Sequence, residues 1–157
     1  MKFRSIALLS CVLGCFILSG GQSLTPQKYA TGPSYFEDGV YVVLTDVHST
    51  LGTFEKGDTV TIEGKYKLAE RSDAKLLLTI TQTEGDGHSS IAPGQVTTVI
   101  GEKGNFKLSI NIQYKGYLHL SLRTASGEDR SFGALYFGTE KQMSDIANWD
   151  LAARYNK

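Results

Sequence analysis

Apolar and polar residues alternate along seven stretches of this chain, all of them between Val40 and Phe137. A period of two residues is typical of half-buried strands, because successive side chains of a strand point to opposite faces of a sheet. Residues that favour turns, mainly Gly, Asp, Asn and Ser, separate the stretches. The pattern predicts an all-β fold with strands at Val40–Val47, Thr59–Leu68, Lys75–Thr83, Val96–Ile100, Phe106–Gln113, Tyr117–Thr124 and Ser131–Phe137.

Each predicted strand has one apolar and one polar face. One polar face per strand is typical of an antiparallel sheet that solvent covers on its outer side, so residues such as Lys65, Ser109 and Ser121 are expected to point outward. No helical pattern separates the strands, which disfavours a parallel, doubly wound sheet. We therefore predict a two-layer core made by Val60, Ile62, Tyr66, Leu68, Leu76, Leu78, Ile80, Phe106, Leu108, Ile110, Ile112, Leu118, Leu120, Leu122, Phe132, Ala134 and Tyr136.

Residues 139–157 follow the last predicted strand and carry a different pattern. Thr139 and Gln142 have the spacing of a capping box, and Met143 and Ile146 follow at helical spacing. We predict a short C-terminal helix and tail in which these apolar residues, together with Trp149, pack against one end of the sandwich.

The first 21 residues have the order of a secretory signal peptide. A short basic head precedes the apolar run Ile6–Leu18, and small residues follow it. The run is shorter than the ~20 residues of a membrane-spanning helix, and no later stretch is apolar for long enough. Ser19 and Gly21 suit signal peptidase, so a secreted or periplasmic chain is expected to begin near Gln22. Residues 22–39, with two prolines and no sustained period, are predicted to form an irregular lead-in.

Both cysteines lie inside this leader. A chain cut near Gln22 therefore has no cysteine and no disulfide. An alternative cut remains open, because Val12-Leu13-Gly14-Cys15 resembles the lipobox of bacterial lipoproteins, which would place a lipid anchor on Cys15. The apolar residues that follow Cys15 disfavour this cut, since lipoproteins usually become polar there. The alternative describes a lipid-anchored envelope protein that is a subunit of a larger assembly.

Size and charge limit the partners. Removal of residues 1–21 leaves 136 of the 157 residues, which suits one domain with one core. The whole chain has 16 basic and 16 acidic residues, and the leader takes away Lys2 and Arg4, so the remainder has a net charge of about −2. We expect no nucleic-acid partner and no general attraction to anionic lipid.

Four segments carry a resemblance to bacterial immunoglobulin-like domains: Lys56–Gly64, Gly104–Leu108, Gly116–Leu120 and Gly133–Gly138. The resemblance covers roughly residues 40–138 and implies an immunoglobulin-like sandwich that serves as an adhesive, spacer or ligand-binding module outside the cytoplasm. The chain departs from the family at its sixth strand. There Tyr117 alternates with the leucine row instead of sharing its face, which does not fit a tyrosine corner. A jelly roll or a small antiparallel barrel is the alternative architecture.

No catalytic motif is present in the sequence. Gly-x-Ser-x-Gly and His-Glu-x-x-His are absent, and the nearest segment to a phosphate loop, Gly52–Gly57, is followed by Asp58, whose carboxylate would repel a phosphate. We expect a non-catalytic protein without cofactor or metal. The remaining alternative, a small carbohydrate-binding or hydrolytic domain, requires a cleft with convergent polar groups.

Aromatic and histidine residues on the outer faces are the candidate binding residues. Exposed tyrosine rings can stack on sugars or on a protein partner, and the partner is expected to be a protein or glycan at the cell envelope. Asp46 and His48 lie two residues apart and share one face of a strand, as metal ligands would, although a strand that ends in polar residues is the better explanation. His88 lies in the loop after the third predicted strand. The candidate residues are Tyr41, Tyr114, Tyr117 and His119.

Overall fold

The computed structural model describes residues 23–84 and 95–155. The predicted leader and its Cys15, and His88 with most of its loop, lie outside the described residues. The strands are β1 (Thr25–Pro26), β2 (Ala30–Phe36), β3 (Val40–Ser49), β4 (Thr59–Leu68), β5 (Asp73–Gln82), β6 (Gln95–Ile100), β7 (Lys103–Asn111), β8 (Gly116–Arg123) and β9 (Ser131–Gly138). Two short helices follow, α1 (Glu140–Asp145) and α2 (Leu151–Tyr155).

The strands form two antiparallel sheets. One has four strands in the order β1-β3-β4-β7, and the other has five in the order β2-β9-β8-β5-β6. The predicted antiparallel two-sheet sandwich with a short C-terminal helix is therefore confirmed. All seven predicted strands are present, and the two strands that the alternation missed, β1 and β2, bring the total in the described residues to nine.

The main core lies between the two sheets. Its apolar side chains come from alternate positions of β3, β4, β5, β7 and β8, as the period of two predicts. Val60, Ile62, Leu76, Leu78 and Leu122 are among the residues with almost no exposed surface. The inward rows that the sequence predicts for β4, β5, β7 and β8 are thus confirmed.

Strand β9 corrects the predicted face of two residues. Leu135 and Phe137 pack in the main core, whereas Ala134 and Tyr136 point to the other side of the sheet, into a second apolar cluster. The pairing of β8 with β9 shifts register after Leu122, and residues on both faces of β9 are buried. A strand that is apolar on both faces carries no alternation from which its inward face could be read.

The N-terminal lead-in is more regular than its composition indicates. Residues 25–26 extend the four-stranded sheet beside β3, and residues 30–36 form the edge strand β2 beside β9. The pairing of β2 shifts register between Thr31 and Ser34, around Gly32 and Pro33. This irregularity interrupts the period of two, which explains why the strand cannot be read from the sequence.

The C-terminal segment packs on the outer side of the five-stranded sheet. The capping box of α1 is formed as predicted, with the Gln142 N–H donating to the Thr139 hydroxyl and the Thr139 N–H donating to the Gln142 side chain. Met143, Ile146 and Leu151 are buried against Ala134 and Tyr136. Met143 and Ile146 thus cover the outer face of the sheet near β2 and β9. The sequence analysis predicted that they would pack against one end of the sandwich instead. None of the helices in the described residues has the length and apolar character to cross a membrane.

Candidate functional site

The four candidate residues do not form one site. Tyr41 lies on the outer face of the four-stranded sheet, which we call the open face. Tyr117 and His119 lie on the outer face of the five-stranded sheet, which we call the covered face because α1 and α2 pack on part of it. Tyr114 is in the turn between β7 and β8. Two sheets separate Tyr41 from His119, so these residues cannot contact the same small ligand.

On the covered face, Tyr117 belongs to an aromatic cluster. Its ring meets Trp149 edge to face with centroids 5.5 Å apart, and Trp149 meets Tyr136 in the same way at 5.5 Å. His119 stacks on Tyr136 with ring centroids 4.8 Å apart. Tyr117 is half-buried in this packing, so its ring does not offer the flat exposed surface that stacking on a ligand requires.

Hydrogen bonds hold His119 in place. Its Nε2 lies 3.0 Å from the Thr79 hydroxyl and its Nδ1 lies 3.4 Å from the Thr81 hydroxyl. The Thr81 hydroxyl is also 2.8 Å from the Tyr136 hydroxyl. Both threonines are buried, so these bonds satisfy polar groups that would otherwise be costly to bury. This geometry indicates a structural role for His119.

A polar cleft lies beside Tyr117, where the C-terminal segment meets the end of the sandwich. Its volume is about 210 Å³. It is the kind of cleft that the carbohydrate-binding or hydrolytic alternative requires. Its lining includes Glu55, Lys115, Tyr117, Lys141 and Asp145.

The two lysines of this cleft are paired with carboxylates. The hydrogen bond from Lys115 to Glu84 and their mutual attraction raise the pKa of Lys115, and Asp145 raises the pKa of Lys141 in the same way. A lysine nucleophile needs a lowered pKa so that its amine is neutral. The cleft therefore favours binding of a polar molecule over covalent chemistry at either lysine.

The open face has a regular ladder of outward side chains, since β3, β4 and β7 pair in register along most of their length. Tyr41 is 44% exposed and its neighbour Val43 is 51% exposed. We call the two rows at this end of the sheet the cationic rows. They consist of Tyr41, Lys67 and Lys103 in one row, and Val43, Lys65 and Asn105 in the next.

A shallow groove continues from the cationic rows along the same face. Its volume is about 570 Å³, and its polar walls include His48, Thr61, Gln95 and Ser109. The Thr61 hydroxyl donates to the Ser109 hydroxyl at 3.0 Å, and the Gln95 side-chain oxygen accepts from the Ser109 N–H. The open face therefore combines positive charge at one end with hydrogen-bonding groups further along.

The structure gives no support to a metal site at Asp46 and His48. The two residues share the open face, where their cross-strand partners are Glu63 and Thr61. His119 lies on the opposite side of the sandwich. Among residues 23–84 and 95–155, no three His, Cys, Asp or Glu side chains are grouped so that they could hold a metal ion.

Asp58 has a role that the sequence did not reveal. Its buried carboxylate accepts hydrogen bonds from the backbone N–H groups of residues 50, 51, 53 and 54 and from the hydroxyls of Ser49 and Thr50. Backbone N–H groups that converge in this way bind anions in phosphate loops. Here the anion is the carboxylate of Asp58 in the same chain. The N–H groups of the loop before Asp58 are therefore already hydrogen-bonded to it.

The hydrogen bonds also decide the charge of Asp58. Burial would raise its pKa, but the bonds from the Leu51 N–H, the Ser49 hydroxyl, the Phe54 N–H and the Thr50 hydroxyl outweigh burial and hold the pKa below its ordinary value. Asp58 is therefore ionised at neutral pH and stabilises the loop beside the polar cleft.

Comparisons with protein-family models, with curated protein sequences and with solved structures gave no match for this chain. Its function therefore has to be argued from its own residues.

Proposed function

We propose that this chain is a non-catalytic, immunoglobulin-like binding module, secreted or periplasmic, whose binding surface is the open face and whose partner is a protein or glycan at the cell envelope. One observation carries the proposal. The chain covers the aromatic residues of the five-stranded sheet with its own C-terminal segment, but it leaves Tyr41 and Val43 about half exposed side by side with three lysines.

Strand pairing supports the immunoglobulin-like assignment. If β3, β4 and β5 correspond to strands A, B and C of an immunoglobulin domain, and β7, β8 and β9 to strands E, F and G, then the pairings A–B, B–E, C–F and F–G all occur. Strand β6 pairs with β5, at the position where variable-type domains add a strand to this sheet.

Binding to isolated cell envelopes tests the proposal. We expect the double variant Tyr41→Ala, Val43→Ser to lose at least about fivefold in affinity for envelopes of the host cell, because exposed aromatic anchors dominate many interfaces. The matched control is Tyr114→Ala, since Tyr114 is 43% exposed and lies outside the open face. Equal binding by wild type and the double variant would rule out the open face as the binding surface.

The N-terminus of the protein purified from its host tests the proposed location. We expect a soluble extracytoplasmic protein that begins near Gln22. A chain that begins at an acylated Cys15 would replace this with the lipid-anchored alternative, and a retained Met1 in the cytoplasm would contradict both.

A further inference from the structure

We propose that the cationic rows of the open face bind an acidic polysaccharide, with Lys65, Lys67 and Lys103 contacting its anionic groups and Tyr41 stacking on a sugar ring. This inference rests on the binding role proposed above and names the class of partner. It is carried by the arrangement of charge on the open face.

The positions of the lysines lower the stability of the fold. Lys67 and Lys103 are direct cross-strand partners, and like charges at directly opposite positions destabilise a sheet. Neither these two nor Lys65 forms an ion pair with any side chain in the described parts of the chain. The stability of the sandwich therefore does not explain why three lysines lie together here.

The neighbouring row shows the contrast. There Glu63 and Lys107 are cross-strand partners, and the Lys107 Nζ donates to the Glu63 Oε1 at 2.7 Å. The hydrogen bond and the charge of Lys107 lower the pKa of Glu63. The sheet thus pairs opposite charges in one row and places three lysines without an ion-pair partner in the next two. Asp38, Glu70 and Glu102 border this area, where they line a groove together with Lys67.

The dimensions of this area suit an extended polymer. Lys65 and Lys67 are two residues apart on one strand, which places their Cα atoms about 7 Å apart. The Cα atom of Lys103, on the neighbouring strand, lies about 5 Å from that of Lys67. Tyr41 lies beside Lys67 in the first row, and the amide of Asn105 lies beside Lys65 in the second. A chain of acidic sugars would meet an aromatic ring, three cations and an amide within this surface.

Two features favour a polysaccharide over the other polyanions. Asp46 and Glu63 lie on the same face, in the row after Val43 and Lys65, and would repel a flat anionic bilayer that covered the whole sheet. Three lysines also provide fewer phosphate contacts than the 6–10 that typically give strong salt-dependent binding to DNA. A narrow chain that crosses only the cationic rows avoids both difficulties.

Binding to polygalacturonate, with neutral dextran as the uncharged comparison, tests the inference by calorimetry on the purified protein. We expect the protein to bind polygalacturonate and not to bind dextran. The triple variant Lys65→Gln, Lys67→Gln, Lys103→Gln should lose about tenfold or more in affinity, and Tyr41→Ala about fivefold. Raising the salt concentration from 50 to 200 mM should weaken wild-type binding by at most about 40-fold, as expected for three charge contacts.

The matched control removes the same net charge from other surfaces. Lys28 is between β1 and β2, Lys56 is in the turn before β4, and Lys75 is on β5, so the triple variant Lys28→Gln, Lys56→Gln, Lys75→Gln should keep wild-type affinity. Circular dichroism and urea denaturation confirm that each variant is folded. An equal loss in both triple variants would overturn the inference, because net charge alone would then explain binding.

Other ligands provide the remaining outcomes. Tighter binding to vesicles of phosphatidylglycerol or to duplex DNA than to polygalacturonate would overturn the inference in favour of a lipid or nucleic-acid partner. If polygalacturonate fails to bind while the Tyr41→Ala, Val43→Ser variant still loses envelope binding, the partner class is wrong but the proposed function stands. If the envelope assay also shows no loss, the proposed function fails as well.

Discussion

The two outer faces of the sandwich differ in whether other parts of the chain pack on their tyrosines. On the covered face, Tyr136 is buried beneath the C-terminal segment and Tyr117 packs against Trp149. On the open face, Tyr41 projects into solvent beside Lys67. In the sequence Tyr41 and Tyr117 look alike, because each alternates with an apolar row.

The difference between the faces comes from residues that are distant in the sequence. The second apolar cluster requires Met143, Ile146 and Leu151 from the C-terminal segment, and within residues 23–84 and 95–155 no corresponding helix packs on the four-stranded sheet. Alternation tells which side of a strand a residue takes, whereas exposure depends on what else packs there. An outward tyrosine becomes a binding candidate only where nothing in the chain covers it.

The largest expected effect comes from replacing inward residues of the two sheets by aspartate, and outward residues beside them provide the comparison. Leu108→Asp in β7 and Leu120→Asp in β8 should both prevent folding, because each leucine is buried in the main core and a buried, unpaired carboxylate is very costly. Their outward neighbours should differ. Ser109→Asp on the open face should change the free energy of unfolding by less than about 1 kcal/mol, whereas Ser121→Asp should cost about 1–3 kcal/mol.

Ser121 is the informative position of this set. Its predicted outward direction holds, but the side chain is only 7% exposed, between its cross-strand partners Leu77 and Ala134. Urea denaturation followed by circular dichroism measures all four variants. Equal effects of Ser109→Asp and Ser121→Asp would mean that the two outer faces are not packed differently.

A second prediction compares one tyrosine from each face. Tyr136→Ala should lower the free energy of unfolding by about 3 kcal/mol or more, because the ring is 1% exposed and contacts both His119 and Trp149. Tyr41→Ala should change it by less than about 0.5 kcal/mol, since the ring is exposed. Thermal and urea unfolding of both variants gives the comparison, and a large loss of stability for Tyr41→Ala would show that this ring serves the fold.

The sequence predicts the parts of this fold that depend on local pattern. The alternation in β4 and β7 places Ile62 and Leu108 in the core, and the capping box at Thr139 marks the start of α1. The edge strand β2 is not visible in the sequence, because its bulge breaks the alternation. The direction of Tyr136 is not visible either, since residues on both faces of β9 are buried.

Only part of the candidate binding surface can be predicted from the sequence. The outward direction of Tyr41 follows from alternation, and this residue is among those predicted from the sequence. The lysine cluster requires the register of β4 with β7, which brings Lys67 opposite Lys103 from a distant part of the chain. No local pattern contains that pairing.

The last prediction compares two carboxylates whose pKa values are lowered for different reasons. Asp58 is buried and held by hydrogen bonds within its loop, whereas Glu63 is on the open face with Lys107. Asp58→Asn should cost about 2 kcal/mol at pH 7, because the amide replaces an acceptor oxygen by a donor among convergent N–H groups. Glu63→Gln should leave the free energy of unfolding unchanged, since solvent screens an exposed pair.

The pH dependence distinguishes the two cases further. An aspartate whose pKa is lowered by folding contributes stability above its unfolded value, near the ordinary 3.8, and loses that contribution as the pH falls through the lower folded value. The stability difference between wild type and Asp58→Asn should therefore be constant near neutral pH and shrink below about pH 4. Urea denaturation at several pH values measures it, with Glu63→Gln as the control. A difference that persists unchanged into acid would show that the introduced amide perturbs packing and that the charge of Asp58 does not stabilise the loop.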